Sequence, residues 1–265
     1  MPTVTVDLLV PGCHIDETTD LKVTLPTRQD GGVAVDMRGV TTVLLPGTGS
    51  DDDYVQRAFS GPLRGVGAAL ITPAPQPGRL IEGYLTALDD AASEGPIAVG
   101  GVSIGAAVAT AWALAHPKQT VAVLAALPAW TGDSSSAPAA HAARYTAAQL
   151  RRDGLDATTA QMQASSPPWL ADELARSWRA QWPQLPDAME EAAAYRAPDA
   201  TELARLVAPL GVVAAVDDPI HPLQVGVDWA NAAPRGALRT VTLEEFGADA
   251  AALGAACLSA LSEAD

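Results

Sequence analysis

The 265-residue chain is short of cysteine and of basic residues, and each shortage excludes a class of protein. Its two cysteines, Cys13 and Cys257, lie near opposite ends without metal-ligand spacing, so the sequence predicts neither a disulfide framework nor a zinc site. Its 16 Lys and Arg residues form no cluster and are outnumbered by 31 Asp and Glu residues, which gives a formal net charge of -15. We therefore expect no binding to nucleic acid or to an anionic membrane surface.

Long apolar segments are also lacking. No apolar run reaches membrane-spanning length, and the first residues, MPTVTVDLLVPG, lack the basic start and long apolar stretch of a signal peptide. The expectation is a cytoplasmic protein. Because 48% of the residues are hydrophobic, the chain can still bury one large core.

Short apolar runs alternate with helical patterns along much of the chain. Strands are predicted at 3–10, 21–25, 40–45, 68–72, 97–102, 120–127, 211–216 and 238–243, the first two as an antiparallel edge. Helices are predicted to start after Ser50 and at Ile104, and to cover 79–92, 223–232 and 248–262. This alternation predicts an α/β fold with a mostly parallel central sheet flanked by helices.

The composition changes after Pro128, where strand patterns stop. Helix-like segments follow at 141–152, 157–164, 168–181 and 186–195. We predict a core of residues 1–128 and 209–265 and a helical lid of residues 129–208 over the strand ends, where open α/β sheets bind ligands. Large apolar side chains of this segment either line a pocket or fasten the lid to the core. They are Trp130, Met162, Trp169, Trp178 and Trp182.

The motif GVSIG at residues 101–105 stands between a buried strand and a small-residue helix. A serine at a sharp strand-to-helix turn is held in a strained conformation with its hydroxyl exposed, and a glycine two positions away on each side leaves room for the turn. The helix also points N–H groups and a partial positive charge at that serine. The pattern therefore predicts Ser103 as a nucleophile, and the alternative is a tight turn with an incidental serine.

Two loops are expected at the same edge of the sheet. PGTGS (46–50) follows the strand 40–45, and its glycines let the backbone present N–H groups to a ligand. Ser50 is predicted to cap a helix whose first turn carries Asp51, Asp52 and Asp53, and a metal cluster is the less favoured interpretation because successive helix positions point in different directions. DDPIHP (217–222) follows the strand 211–216 and holds His221.

In this order, these segments resemble the α/β-hydrolase fold, and more narrowly the lidded serine hydrolases among bacterial esterases and thioesterases. The resemblance implies that Ser103 is the nucleophile and Asp218 the acid. It also implies an oxyanion hole made by the backbone N–H groups of Thr48 and Ile104. We expect no cofactor and no metal.

The sequence departs from that family at two places. Pro46 stands where the family usually has histidine, and the segment after the last predicted strand, LEEFGAD (243–249), lacks the usual catalytic histidine. His14, His116 and His141 are expected on a surface turn, at a helix end and on a helix surface. We therefore assign the base to His221, oriented by Asp218 or Asp217, and the alternative is a loop histidine bonded to backbone.

The predicted function is a serine hydrolase that cleaves a neutral ester or thioester of a small molecule with an apolar portion. The main alternative is a non-hydrolytic protein that binds a small apolar ligand under the lid, and its support is the missing histidine. A lyase or cyclase using the same pocket is a third possibility.

Overall fold

Six parallel strands form the central sheet of the protein, which we describe from a computed structural model covering residues 35–264. The strands are β1 (Thr41–Leu45), β2 (Ala69–Ile71), β3 (Ile97–Val102), β4 (Thr120–Ala126), β5 (Leu210–Ala215) and β6 (Gly236–Val241). Their spatial order is β2-β1-β3-β4-β5-β6, and every neighbouring pair is parallel. The predicted α/β class and parallel sheet are thus confirmed, while the predicted strands 3–10 and 21–25 lie outside the described residues.

Helices cover both faces of this sheet. They are α1 (Asp52–Gly65), α2 (Leu80–Ala92), α3 (Ile104–Ala115), α4 (Pro138–Ser165), α5 (Pro168–Gln181), α6 (Leu185–Ala194), α7 (Ala200–Leu203), α8 (Leu223–Ala232), α9 (Leu243–Ala248) and α10 (Ala251–Leu261). Successive side chains of a strand point to opposite faces, so Val43 and Leu45 belong to the buried cluster that includes residues of α2, α3 and α8, while Leu44 belongs to the cluster that includes residues of α1 and α10. The inner strands are apolar apart from threonines at the start of β1 and β4, because both of their faces are buried.

The structure corrects several predicted boundaries. Asp51, not Ser50, caps α1, since its side chain accepts a hydrogen bond from the Tyr54 amide. The segment predicted as the end of a strand at 243 instead begins α9, which the Thr242–Glu245 capping box starts. The last predicted helix accordingly begins at Ala251. The predicted helices 141–152 and 157–164 are one segment, α4, with non-helical geometry at Gly154.

Four helices, α4 to α7, separate β4 from β5 in the chain. They occupy the stretch for which the sequence predicts a lid, and the division into core and lid stays a prediction. None of the helices within residues 35–264 combines the length and the apolar character that crossing a bilayer requires.

Candidate active site

Ser103 occupies the bend between β3 and α3, at the carboxyl edge of the sheet. Its backbone has φ 55° and ψ -113°, a conformation that L-residues rarely adopt. The Ser103 amide donates to the Ala126 carbonyl of β4 at 2.9 Å, which helps to hold the bend, and the residue is 8% exposed. The strain is thus balanced by a fixed environment that places the hydroxyl above the strand ends.

The two glycines of the motif allow this bend to pack against the end of β1. A Cβ atom at Gly101 would lie 2.3 Å from the Leu45 carbonyl oxygen, and one at Gly105 would lie 2.2 Å from the same oxygen. Both distances are far inside van der Waals contact, and the obstacle is backbone that cannot swing away. Glycine is therefore required at both positions for steric reasons.

His221 lies on the loop after β5 and faces Ser103. Its Nε2 atom is 3.0 Å from the Ser103 Oγ atom, and its Nδ1 atom is 2.7 Å from the Asp218 Oδ2 atom. The side chains of His221 and Asp218 are 17% and 9% exposed. A hydrogen-bonded chain from carboxylate to imidazole to hydroxyl therefore runs through a largely buried site.

The Asp218 carboxylate is held in its charged form. Burial is the largest single influence on its pKa and raises it. The hydrogen bond and charge of His221 and the amides of Ile220 and His221 lower the pKa, and together they outweigh burial, so the pKa of Asp218 lies below its ordinary value. Those two amides donate to Asp218 Oδ1 at 2.8 and 3.3 Å. The loop thus fixes one carboxylate oxygen and leaves the other for the imidazole.

Asp217, the neighbour of Asp218, points elsewhere. Its Oδ1 atom accepts a hydrogen bond of 2.9 Å from the Leu243 amide at the start of α9. It therefore links the loop after β5 to the segment after β6. Of the two carboxylates that the sequence left open, the structure brings only Asp218 to His221.

Residues 47–50, which we call the glycine turn, lie beside the serine. The Ser50 amide donates to the Gly47 carbonyl at 3.0 Å, and Gly49 has φ +71°, as the third residue of a type II turn requires. A Cβ atom at Gly47 would lie 3.6 Å from Ser103 Cβ. Within residues 35–264, the Thr48 and Ile104 amides donate to no other protein group, so both are free to bind an oxyanion.

The large apolar side chains of residues 129–208 belong to three different clusters. Trp130 is buried with the α3 side of the sheet, Trp169 packs edge-on against Phe246 of α9, and Trp178 and Met162 lie within the cluster that α4, α5 and α6 share. The described structure does not bring them together as one lining, and their role in a pocket stays a prediction.

The other described histidines and the acidic run have separate partners. His116 stacks on Trp112 at the far end of α3, and His141 is exposed. Asp51 pairs with Arg176, and Asp53 with Arg57. In the part of the chain that the structure describes, no three His, Cys, Asp or Glu side chains are grouped so that they could hold a metal ion.

Three residues with no signal in the local sequence contact the loop that contains the glycine turn. The Tyr84 hydroxyl of α2 donates to the Pro46 carbonyl at 3.1 Å, and burial raises the pKa of Tyr84, so it remains a donor. From α5, Gln181 donates to the Ser50 carbonyl and Arg176 pairs with Asp51. Their contacts span about forty to 130 residues of chain, so only the fold reveals them.

Comparison with known proteins rests on structure, because no protein-family model and no curated protein matches the sequence. A thermophilic esterase from Thermogutta terrifontis is 18% identical, with a TM-score of 0.60 over 77% of this chain and 82% of its own. The enol-lactonase from Burkholderia xenovorans is 17% identical, with a TM-score of 0.58 over 77% and 83%. MenH from S. aureus is 14% identical, with a TM-score of 0.61 over 80% and 91%. The chain has the α/β-hydrolase fold.

On this α/β-hydrolase fold, the segment after the last strand of the sheet carries no histidine. It forms the short helix α9, whose Gly247 approaches Trp169 so closely that a Cβ atom there would lie 2.3 Å from the indole nitrogen. Trp169 of α5 thus packs against the segment that carries the catalytic histidine in the family that the sequence resembles. The imidazole beside Ser103 comes from the preceding loop instead.

Proposed function

We propose that this chain is a serine hydrolase that cleaves a neutral ester or thioester through an acyl-enzyme on Ser103. The observation that carries the proposal is the 3.0 Å contact between His221 Nε2 and Ser103 Oγ, completed by the contact of His221 with Asp218. A serine hydroxyl is a weak nucleophile until a base accepts its proton, and a neutral imidazole at hydrogen-bond distance can do so.

In the first half of the reaction, Ser103 Oγ attacks the carbonyl carbon while its proton passes to His221 Nε2. The negative charge that develops on the carbonyl oxygen is held by the free amides of Thr48 and Ile104. Asp218 keeps the Nδ1 proton of His221 in place and stabilises the imidazolium. The intermediate collapses, the ester or thioester bond breaks, and His221 returns its proton to the leaving alcohol or thiol.

In the second half, His221 takes a proton from water, whose oxygen attacks the acyl carbon on Ser103. A second oxyanion forms at the same two amides and collapses, and His221 gives its proton back to Ser103 Oγ. The products are a carboxylic acid and the free enzyme. No cofactor or metal enters either half of this scheme.

The charge around the site supports a neutral substrate. The Asp51 carboxylate beside the glycine turn is paired with Arg176, but the chain as a whole has a formal net charge of -15, so an anionic substrate would be repelled. We assign α4 to α7 the role of a lid. Of the side chains predicted to line a pocket, we retain Trp178, whose indole packs beside Gly49 of the glycine turn, as a contact for the acyl or aryl portion of a small molecule. By contrast, Trp130, Met162 and Trp169 pack within the protein.

Labelling with a fluorophosphonate probe tests the proposal, because the probe reacts only with a serine that has been activated. We expect the probe to modify Ser103, the Ser103→Ala variant to stay unlabelled, and His221→Ala to label far more slowly while keeping its thermal unfolding transition. A folded chain that is unlabelled and does not hydrolyse p-nitrophenyl esters would refute the proposal. Stabilisation by a small apolar ligand in that case would establish the non-hydrolytic alternative.

A further inference from the structure

We infer that Gln181 is a positioning residue that sets the direction of the Thr48 amide by holding the glycine turn from α5. The inference rests on the proposed function, since it concerns the oxyanion hole of that reaction. It assigns to α5 a part in the chemical step, in addition to any part in covering the site.

The contact is direct and buried. Gln181 Nε2 donates to the Ser50 carbonyl at 2.9 Å and to the Ser177 hydroxyl at 2.7 Å, and Gln181 is 6% exposed. Ser50 closes the glycine turn through its own amide. Because both protons of the side-chain amide are used and water is largely excluded, the carboxamide has one orientation, and it fixes the carbonyl that ends the turn.

Neighbouring positions of α5 contact the residues on both sides of Ser50. Trp178 packs against Gly49 so closely that a Cβ atom there would lie 2.9 Å from the indole nitrogen. Arg176 holds Asp51 through a 2.5 Å ion pair. The second half of α5 thus contacts three consecutive residues, 49 to 51, while Tyr84 of α2 donates to the preceding carbonyl of Pro46.

The glycine turn requires such support because of its composition. Glycine has the widest backbone freedom of any residue type, and glycines precede and follow Thr48. The peptide units on both sides of this residue can therefore rotate over a wide range. An oxyanion donor stabilises the transition state only if its direction is fixed before the charge develops. Removing one such donor lowers kcat about 10²- to 10³-fold, and a donor that has lost its external restraint forfeits part of that effect.

The experiment compares Gln181→Leu with Gln149→Leu, a matched control. Gln149 is also 6% exposed and also uses Nε2 for two hydrogen bonds, to Tyr145 and Gln161, but neither partner belongs to the site. For each variant we would measure kcat and KM with a p-nitrophenyl ester. We would also measure the inhibition constants of a trifluoromethyl ketone, which binds as a tetrahedral oxyanion, and of the product acid, which does not.

We expect Gln181→Leu to lower kcat about tenfold with KM within twofold, and to weaken the trifluoromethyl ketone by the same factor but not the product acid. Gln149→Leu should leave all four constants within twofold even if it lowers the unfolding temperature equally. An unchanged kcat in Gln181→Leu, or equal losses in both variants, would overturn the inference.

Gln181→Glu provides a second test if the leucine variant does not fold. A protonated glutamic acid can still donate to the Ser50 carbonyl, whereas an ionised one repels it. The ratio of kcat in Q181E to kcat in the unchanged protein should therefore fall as pH rises, and a constant ratio would contradict the inference. If Ser103 is labelled by the fluorophosphonate and these variants are normal, only this inference fails; if Ser103 is never labelled, the proposed function fails.

Discussion

The adjacent carboxylates Asp217 and Asp218 allow a sharp test of the site, because they are equal in sequence context and differ in what they contact. Asp218 accepts from His221 Nδ1 at 2.7 Å, and Asp217 accepts from the Leu243 amide at 2.9 Å. Replacing each in turn with asparagine changes the charge by the same amount and leaves the size of the side chain unchanged. We expect only Asp218→Asn to abolish most of the activity.

The expected magnitude follows from the hydrogen-bond chain. The asparagine amide presents donors where Asp218 presents only acceptors, so His221 can carry its proton on Nε2, facing Ser103, and can no longer accept the serine proton. The same change in serine proteases lowers kcat about 10⁴-fold. Because the Asp218 side chain is only 9% exposed, water cannot replace it, and we expect a loss of about 10³-fold or more, equivalent to about 4 kcal/mol in the barrier.

The assay is hydrolysis of a p-nitrophenyl ester, with the fluorophosphonate labelling rate of Ser103 as a second measure. Asp217→Asn is the control and should keep kcat within threefold, since an asparagine oxygen can still accept from the Leu243 amide. Thermal unfolding of both variants shows that each is folded. A loss of less than tenfold in Asp218→Asn, or an equal loss in Asp217→Asn, would refute the proton-transfer chain that we derive.

Three further predictions concern stability. Gly105→Ala should lower the free energy of unfolding by about 3 kcal/mol, because its Cβ would lie 2.2 Å from a backbone oxygen, whereas Gly65→Ala, at an open position in α1, should not lower it; equal unfolding midpoints in urea would contradict this. Folding lowers the pKa of Asp218, so the contribution of its carboxylate to stability is complete above its ordinary pKa of 3.8 and is lost as pH falls below that value. The difference in free energy of unfolding between the unchanged protein and Asp218→Asn should therefore shrink as pH falls through that range, and a difference independent of pH would contradict this prediction. Arg176→Met should remove about 1 kcal/mol or less at low salt, because the arginine side chain is 45% exposed, and the loss in unfolding temperature should diminish in about 1 M NaCl, where charges are screened beyond about 3 Å; a loss that salt does not change would show that packing dominates.

The sequence predicted the sheet well because its inner strands are nearly continuous apolar runs. β3 (Ile97–Val102) is buried at every position, and its predicted and observed bounds coincide. The predicted and observed bounds also coincide for α5, whose amphipathic pattern starts at Pro168. The predicted strand 238–243 extends too far because Thr242 and Glu245 form a capping box, a local signal that begins α9 at Leu243.

The site itself could be predicted only in part. Ser103 carries a motif, and His221 could be chosen because the carboxyl ends of parallel strands meet at one edge. The selection between Asp217 and Asp218 depends on the turn that the intervening loop makes, which no pattern specifies. The contacts of Tyr84 and Gln181 with the loop around Thr48 arise between distant segments, so they become visible only when α2 and α5 are placed in space.

Asp218 and His221 lie three positions apart on one loop, and two amides of that loop bind the same carboxylate. Because both groups lie on the same loop after β5, we expect small movements of β5 relative to β6 to leave the geometry between carboxylate and imidazole unchanged. Of the two contacts in this chain of three groups, only that between His221 and Ser103 joins residues that follow different strands. We therefore expect partial unfolding to abolish activity by lengthening that one distance. The peptide that follows β6 carries no reacting group in this scheme and is free to diverge in sequence as far as its packing against Trp169 permits.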